Sequence, residues 1–286
     1  MKKYIILIIL YPQLIFSQDT LTLMDAVKIG MEKNYDIQIS VKNNNINSIN
    51  NSWSNSGALP TIDIGINKEE ALSDQSQNPA SFIQEKLRSN SINGNINARW
   101  TLFNGFAIQA NKKRLDNLEK ISSNNATLTI ENTIQGIILQ YYNCILQKKQ
   151  LDLLRNVVKL AKDRLQHEKI KHELGSSNKI DLLQTENAML TDSSNIILQE
   201  LNYNNAIRNL NLTISMNIEK EWVIKENEIK TEIKIFDYEE LKANTLSNNA
   251  NIKNQYYNIQ LSKQDMKLIM APFYPIVSIN SGASYN

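Results

Sequence analysis

From Ala107 to His172 the chain holds no Pro and a single Gly, Gly136, while Ile130, Ile137, Cys144, Leu151, Val158 and Leu165 recur at every seventh position. Nothing in that stretch breaks a helix, and a continuous helix of such length runs roughly 100 Å, far longer than a globular helix. A row sustained over five heptads needs a second helix to bury it. The second helix follows at once. Leu174-Gly175-Ser176-Ser177 reads as a tight turn, Asn178 as an N-cap, and Asp181 sits in the first turn, where the helix's positive end favours an acid. Leu182-Leu183, Met189-Leu190 and Ile196-Ile197 are apolar doublets seven residues apart, continued in one row by Tyr203 and Leu210. Doublets widen the apolar stripe so that it touches neighbours on both sides, which suits a sheet or barrel of helices better than an isolated pair.

The stretch before the rod has a different period. Ile92, Gly94, Ile96, Ala98, Trp100 and Leu102 alternate with Ser91, Asn93, Asn95, Asn97, Arg99 and Thr101, a strand with one oily and one wet face, and Asn104-Gly105 ends it. Upstream, Ile62, Ile64 and Ile66 alternate with Thr61, Asp63, Gly65 and Asn67 after Pro60. With Ser73 to Ala80 as a polar loop, residues 59–104 are predicted to form an antiparallel hairpin with strands of about 10 to 13 residues, enough to cross a bilayer when tilted. A hairpin laying its Ile face on a soluble core fits the same alternation.

Thr22 and Asp25 have capping-box spacing for a first short helix ended by Asn34; a second runs from Tyr35 to Trp53, stopped by Gly57 and Pro60. Residues 213–236 lose the heptad and read as an irregular region with short strands around Trp222, Ile224, Ile229, Ile233 and Ile235. At the N-terminus, Lys2-Lys3, an apolar run from Tyr4 to Phe16 and Ser17 suggest a signal peptide over residues 1–17. Without that segment's two lysines, the 31 basic residues become 29, equal to the 29 acidic ones, so no nucleic-acid footprint is expected. Cys144 is the only cysteine and reads as a small apolar residue on a packed helix face.

The chain also repeats itself. Shifted by 215 positions, Asn34-Tyr35-Asp36-Ile37 falls on Asn249-Ala250-Asn251-Ile252, and Leu59-Pro60-Thr61-Ile62-Asp63-Ile64 on Tyr274-Pro275-Ile276-Val277-Ser278-Ile279, with no gap between the blocks. Residues 237–286 are therefore expected to begin a second copy of the helix-helix-strand module, ending inside its first strand.

Trp100-Thr101-Leu102-Phe103-Asn104-Gly105-Phe106 resembles the W-x-L-F-[DN]-G motif at the strand-to-helix junction of the TolC family of outer membrane efflux channels. The opening L-T-L-x-x-A-V helix at Leu21-Thr22-Leu23 and Ala26-Val27, the Leu59-Pro60 strand entry, the long hairpin with Gly at its tip and the tandem repeat extend the likeness over most of the chain. The resemblance implies a mainly α protomer with long antiparallel helical hairpins and transmembrane β-barrel strands. Three protomers form a twelve-stranded outer membrane barrel continued by a periplasmic tunnel of helices. It implies a homotrimer in outer membrane lipid, a periplasmic adaptor (membrane fusion) protein and an inner-membrane pump as partners, and passive efflux or type I secretion-like transport. By position, Leu174, Gly175, Ser176 and Ser177 fall where family members meet the adaptor, although Ser176 replaces an apolar residue often found there. Asp181 matches an acid that helps close the periplasmic entrance, a role compatible with capping the helix. Two strands and part of a third per chain would not close a twelve-strand barrel from three copies, so a chain cut short after its first repeat, not conducting by itself, is the corresponding expectation.

No catalytic, metal or cofactor site is expected: there is no HExxH, no Gly-rich phosphate loop and no nucleophile elbow, and His167 and His172 read as solvated. The competing reading is an exported, non-channel coiled-coil scaffold or a periplasmic adaptor, which would use a long hairpin without a tandem copy of the helix-Pro-strand module.

Overall fold

A computed structural model describes residues 20–74, 76, 82, 85–226 and 236–285. The signal-peptide segment, Ile229, Ile233, Ile235 and most of the 75–84 connection lie outside the described residues. In chain order the elements are β1 (Thr20–Leu21), α1 (Leu23–Lys33), α2 (Tyr35–Asn50), β2 (Thr61–Asp74), β3 (Lys86–Asn104), α3 (Ala107–Glu173), α4 (Lys179–Thr213), β4 (Val223–Ile224), α5 (Tyr238–Asn248), α6 (Ala250–Met270) and β5 (Ile276–Tyr285), with a 3-10 turn at Ala271–Phe273 before β5. The chain divides into two units, Met1–Gln38 with Thr129–Ile235 and Ile39–Leu128 with Phe236–Asn286.

The first unit is built on the heptad row. Ile137, Cys144, Leu151, Val158 and Leu165 of α3 are all buried, and on α4 Leu182 and Leu210 are buried with Met189, Ile196 and Tyr203 half-buried between them. The other member of each doublet, Leu183, Leu190 and Ile197, is exposed. Gln199 ties the helices together by donating its amide to the Gln147 side chain at 2.8 Å and to the Gln147 carbonyl at 3.1 Å. Where the hairpin meets β1 and β4 there is a true core of Leu21, Ile137, Tyr141, Cys144, Leu210, Ile214, Trp222 and Ile224. Burial pushes the Cys144 thiol up to about 12, so it stays a neutral apolar group.

The two-residue strands β1 and β4 pair in parallel, and their ends are clamped by Tyr141, whose hydroxyl donates to Lys225 O at 2.6 Å. Asn211, fully buried, accepts from the Trp222 indole at 2.6 Å and donates to the Lys220 carbonyl at 2.7 Å, so this buried polar side chain has its partners. The parallel pairing of residues some two hundred positions apart has no local sequence signal.

In the second unit α2, α6 and the first part of α3 meet through polar contacts rather than a dense apolar core. Lys112 donates to Asn51 at 2.6 Å and pairs with Asp116, Asn51 also donates to Glu119, and Asn254 donates to Asn125 at 2.7 Å. Arg114 reaches Asp265 across from α3 to α6 at 2.9 Å.

The duplication is visible in the backbone. Leu23–Lys33 and Tyr238–Asn248 are the same eleven positions shifted by 215, and α2 and α6, like β2 and β5, begin at shifted positions. The corner between the helices is copied in atomic detail. Asn34 has φ −62° and ψ 125°, Asn249 φ −63° and ψ 119°; each accepts with its side chain from the N–H three residues on, Ile37 or Ile252, at 3.1 Å. The copies diverge afterwards. α2 stops at Asn50 and a separate turn continues to Gly57 (φ 90°), whereas α6 runs on to Met270.

Two outcomes test this account. Asn249→Ala removes a helix cap and is expected to cost about 1 kcal/mol; Asn34→Ala should cost more, roughly 2–3 kcal/mol, because its amide also donates to the buried end of the hairpin at Thr213 O, 2.9 Å away. Thermal melts followed by circular dichroism give the order. At α1, the Thr22 hydroxyl, then its N–H, donate to Asp25 and hold that carboxyl below its usual value. The folded value lies below the unfolded one, so the cap's contribution is complete above the ordinary aspartate range and is lost as pH falls through the lowered value. Asp25→Asn should flatten that acid limb of the melting profile.

Candidate functional site

The W-x-L-F-N-G segment sits where β3 hands over to α3, and each of its residues has a separate job. Trp100 donates its indole N–H to Ala58 O at 3.0 Å, fastening β3 to the entry of β2. Leu102 is a β-bulge: Thr101 faces Ser278 and Phe103 faces Val277, leaving Leu102 unpaired against β5. The oily alternation of the sequence therefore holds as far as Trp100, and Leu102 does not continue it as expected. The Asn104 side chain accepts from Ile108 N at 3.2 Å and caps α3.

Gly105 and Phe106 both take positive φ, 64° and 67°, which turns the chain from strand to helix. At Gly105 a Cβ would also sit 2.3 Å from the Ala271 carbonyl, so only glycine lets the first module's exit lie on the second module's entry. The Phe106 ring then meets Phe103 and Tyr274 edge-on, with centroids 5.2 and 6.1 Å apart.

Beyond the junction, β2, β3 and β5 form one antiparallel sheet in the order β2-β3-β5. Ile62, Ile64 and Ile66 stand opposite Ala98, Ile96 and Gly94, and Trp100 opposite Ile279, so one face collects Ile62, Ile64, Ile66, Ile92, Ile96, Trp100 and Ile279. Every one of them is exposed. The other face carries Asp63, Asn97 and Arg99, whose guanidinium donates to Asn280 at 3.2 Å.

The strands are longer than expected, 14 and 19 residues. The excess is charged. Past the isoleucines, Lys68–Glu70, Arg88–Glu70 and Lys86–Asp74 pair at 2.7, 3.4 and 3.6 Å, extending the hairpin as a hydrated ladder. The run from Ile92 to Trp100 covers about 26 Å along the strand, at the short end of what a tilted strand needs to cross a hydrocarbon core.

In the other unit, the hairpin tip ends α3 in a Schellman motif. Gly175 (φ 75°) donates to His172 O and Ser176 to Lys171 O, at 3.0 and 2.9 Å. Ser177 donates its hydroxyl to Glu168, and the His172 ring lies 3.0 Å from the Ser177 carbonyl, so His172 is half-buried and bonded rather than simply solvated. Asn178 accepts from Asp181 N at 2.8 Å and caps α4. Asp181 itself is exposed in the first turn. Leu174 is 77% exposed, and Ile180, which sequence reasoning overlooked, is 65% exposed beside the cap.

Among the described residues, no group of three or more His, Cys, Asp or Glu side chains could hold a metal, and no helix is long and apolar enough to cross a membrane.

By sequence, no family model and no curated protein matches the chain. By structure, the Campylobacter jejuni CmeC outer membrane channel superposes with a TM-score of 0.70 at 15% identity over 90% of this chain and 55% of its own. The Vibrio cholerae outer membrane protein VceC does so with 0.68 at 11% over 92% and 62%. The open-state Neisseria gonorrhoeae MtrE outer membrane channel gives 0.63 at 13% over 92% and 62%. The chain has the TolC-like fold of these outer membrane efflux channels. It spans a little over half the length of the channel chains it matches, and the TolC-like motif at Trp100–Phe106 is the joint between the two modules within that span.

Two glycines provide an internal comparison. Gly105→Ala should destabilise the junction by several kcal/mol through left-handed strain and the clash with Ala271, whereas Gly94→Ala, where a Cβ meets nothing within 4 Å, should be close to neutral. Limited proteolysis between Asn104 and Ala107 reads the difference.

Proposed function

We propose that the chain is a component of an outer membrane channel, a passive conduit for efflux or type I secretion-like export, with the β2-β3-β5 sheet in outer membrane lipid and the α3-α4 hairpin in the periplasm. The observation that carries the reading is the sheet: three hydrogen-bonded strands with one continuous apolar face that no other element covers among the described residues. Only a closed barrel lets such a sheet cross a bilayer, because lipid leaves no edge hydrogen bond unmade. Closure needs further strands, and the TolC-like fold supports a homotrimer as their source. The exposed apolar rows on the hairpin support the same assembly.

At the tip, exposed Leu174 and Ile180 flank a rigid turn of polar groups at Gly175, Ser176 and Ser177, which suits docking of a periplasmic adaptor that joins the channel to an inner-membrane pump. Asp181, one turn into α4, is placed to contribute to the periplasmic entrance.

In cells with an outer membrane, the protein should resist carbonate extraction and migrate as a heat-modifiable oligomer; extraction by carbonate would favour an exported scaffold or adaptor instead. Ile64→Arg, on the oily face, should cost roughly 2–4 kcal/mol and lower the carbonate-resistant fraction, while Asn97→Arg on the wet face should leave it unchanged. Leu174→Asp with Ile180→Asp should abolish adaptor cross-linking at the tip without affecting membrane insertion.

A further inference from the structure

Immediately after the last rung of β3, a cleft of about 380 Å³ opens between the start of α3 and the end of α6, lined among others by Phe106, Gln109, Lys113, Gln264, Lys267 and Tyr274. No carboxylate lines it. The acids nearest in sequence are already engaged: Asp116 pairs with Lys112 at 2.5 Å and Asp265 with Arg114 at 2.9 Å. Lys113 and Lys267 are exposed, and neither has an ion pair among the described residues. Two ammonium groups therefore share one concavity with no counter-charge, an arrangement that an anion stabilises.

The rest of the lining narrows the choice of anion. Gln264 packs into the wall, only 8% exposed, with its amide oxygen buried. Phe106, Tyr274 and Met270 make the remaining wall apolar and remain partly exposed. A free inorganic anion has no use for an apolar wall. A phospholipid headgroup uses both features: its phosphodiester meets the lysines, and its first methylenes meet the rings. The cleft also borders the aromatic end of the oily sheet, the level at which Trp, Tyr and Phe gather at a bilayer interface.

We propose that this cleft is a binding site for the phosphodiester headgroup of a phospholipid, held by Lys113 and Lys267. The assignment rests on the membrane placement of the sheet given above. It also gives the basic residues at the junction a role beyond packing, since a lipid bound there would fix the depth at which strand gives way to helix.

The full chain, purified in a non-ionic detergent, is titrated with dioleoylphosphatidylglycerol and the retained lipid counted by native mass spectrometry. One lipid per chain should be retained, and Lys113→Gln with Lys267→Gln should weaken its binding at least tenfold. Lys113→Arg with Lys267→Arg, which keeps the charge, and the control Lys159→Gln with Lys162→Gln on α3 should not. Dioleoylglycerol, which lacks the phosphate, should not be retained, and inorganic phosphate at millimolar concentration should not displace the lipid. Undiminished binding by the double Gln variant, equal retention of dioleoylglycerol, or displacement by inorganic phosphate would each overturn the assignment. Carbonate extraction of the same proteins separates the two readings. If the wild type stays in the membrane while the Gln variant binds lipid undiminished, the headgroup site alone fails; if the wild type is extracted, the channel reading fails whatever the titration gives.

Discussion

A β-sheet over which no described residue lays a second layer leaves its apolar face in need of cover, and that requirement governs the rest of this molecule. The oily face of β2, β3 and β5 leaves seven large side chains uncovered, from Ile62 to Ile279. Leaving them in water would forgo roughly 10–20 kcal/mol, as much as the whole stability of an ordinary domain. The opposite face, with Asp63, Asn97 and Arg99, is suited to water. A thin wall with lipid on one side and water on the other, as proposed above, would meet both demands; a hairpin laid on a soluble core would need a layer over its oily face, and among the described residues none covers it.

The duplication makes that wall possible. Asn34 and Asn249 each end one helix and cap the next with nearly the same backbone angles, so each module turns its helix pair in the same way, and the strand begins directly after Pro60 or Pro275. The second strand then pairs with β3, and the bulge at Leu102, the tight approach at Gly105 and the Phe103–Phe106–Tyr274 ring contacts fasten one module's exit to the next one's entry. In the other unit the long hairpin is held by a seven-residue row and locked where it meets β1 and β4 by Tyr141 and Asn211.

Much of this is legible in the chain because the signals are local or periodic. The row from Ile137 to Leu165 is buried where the heptad places it, Thr22 and Asp25 form the capping box that their spacing suggests, and the alternation from Ile92 to Trp100 is a strand. What escaped sequence reading depends on partners distant in sequence or on side-chain environment. The strands run longer than expected because the alternating pattern fades at the charged ends of β2 and β3, where strand propensity is low for Lys and Glu, yet the cross-strand pairs Arg88–Glu70 and Lys86–Asp74 carry the ladder through them. Leu102 kept the alternating pattern while the backbone bulged, since a bulge changes register without changing composition. Ile180 drew no notice in the sequence, and the fold leaves it exposed next to the Asn178 cap of an otherwise polar tip, while the cleft at Lys113 joins two helices more than a hundred residues apart.

The central claim, that the isoleucine face meets lipid and the asparagine face water, is tested most directly by nitroxide accessibility. Single cysteines introduced from position 92 to 100 in a Cys144→Ala background carry the label in native outer membranes. The account predicts a period of two, with even positions accessible to oxygen and shielded from a water-soluble nickel chelate and odd positions the reverse. Equal accessibility of both faces to the chelate, or shielding of both from it, would contradict it.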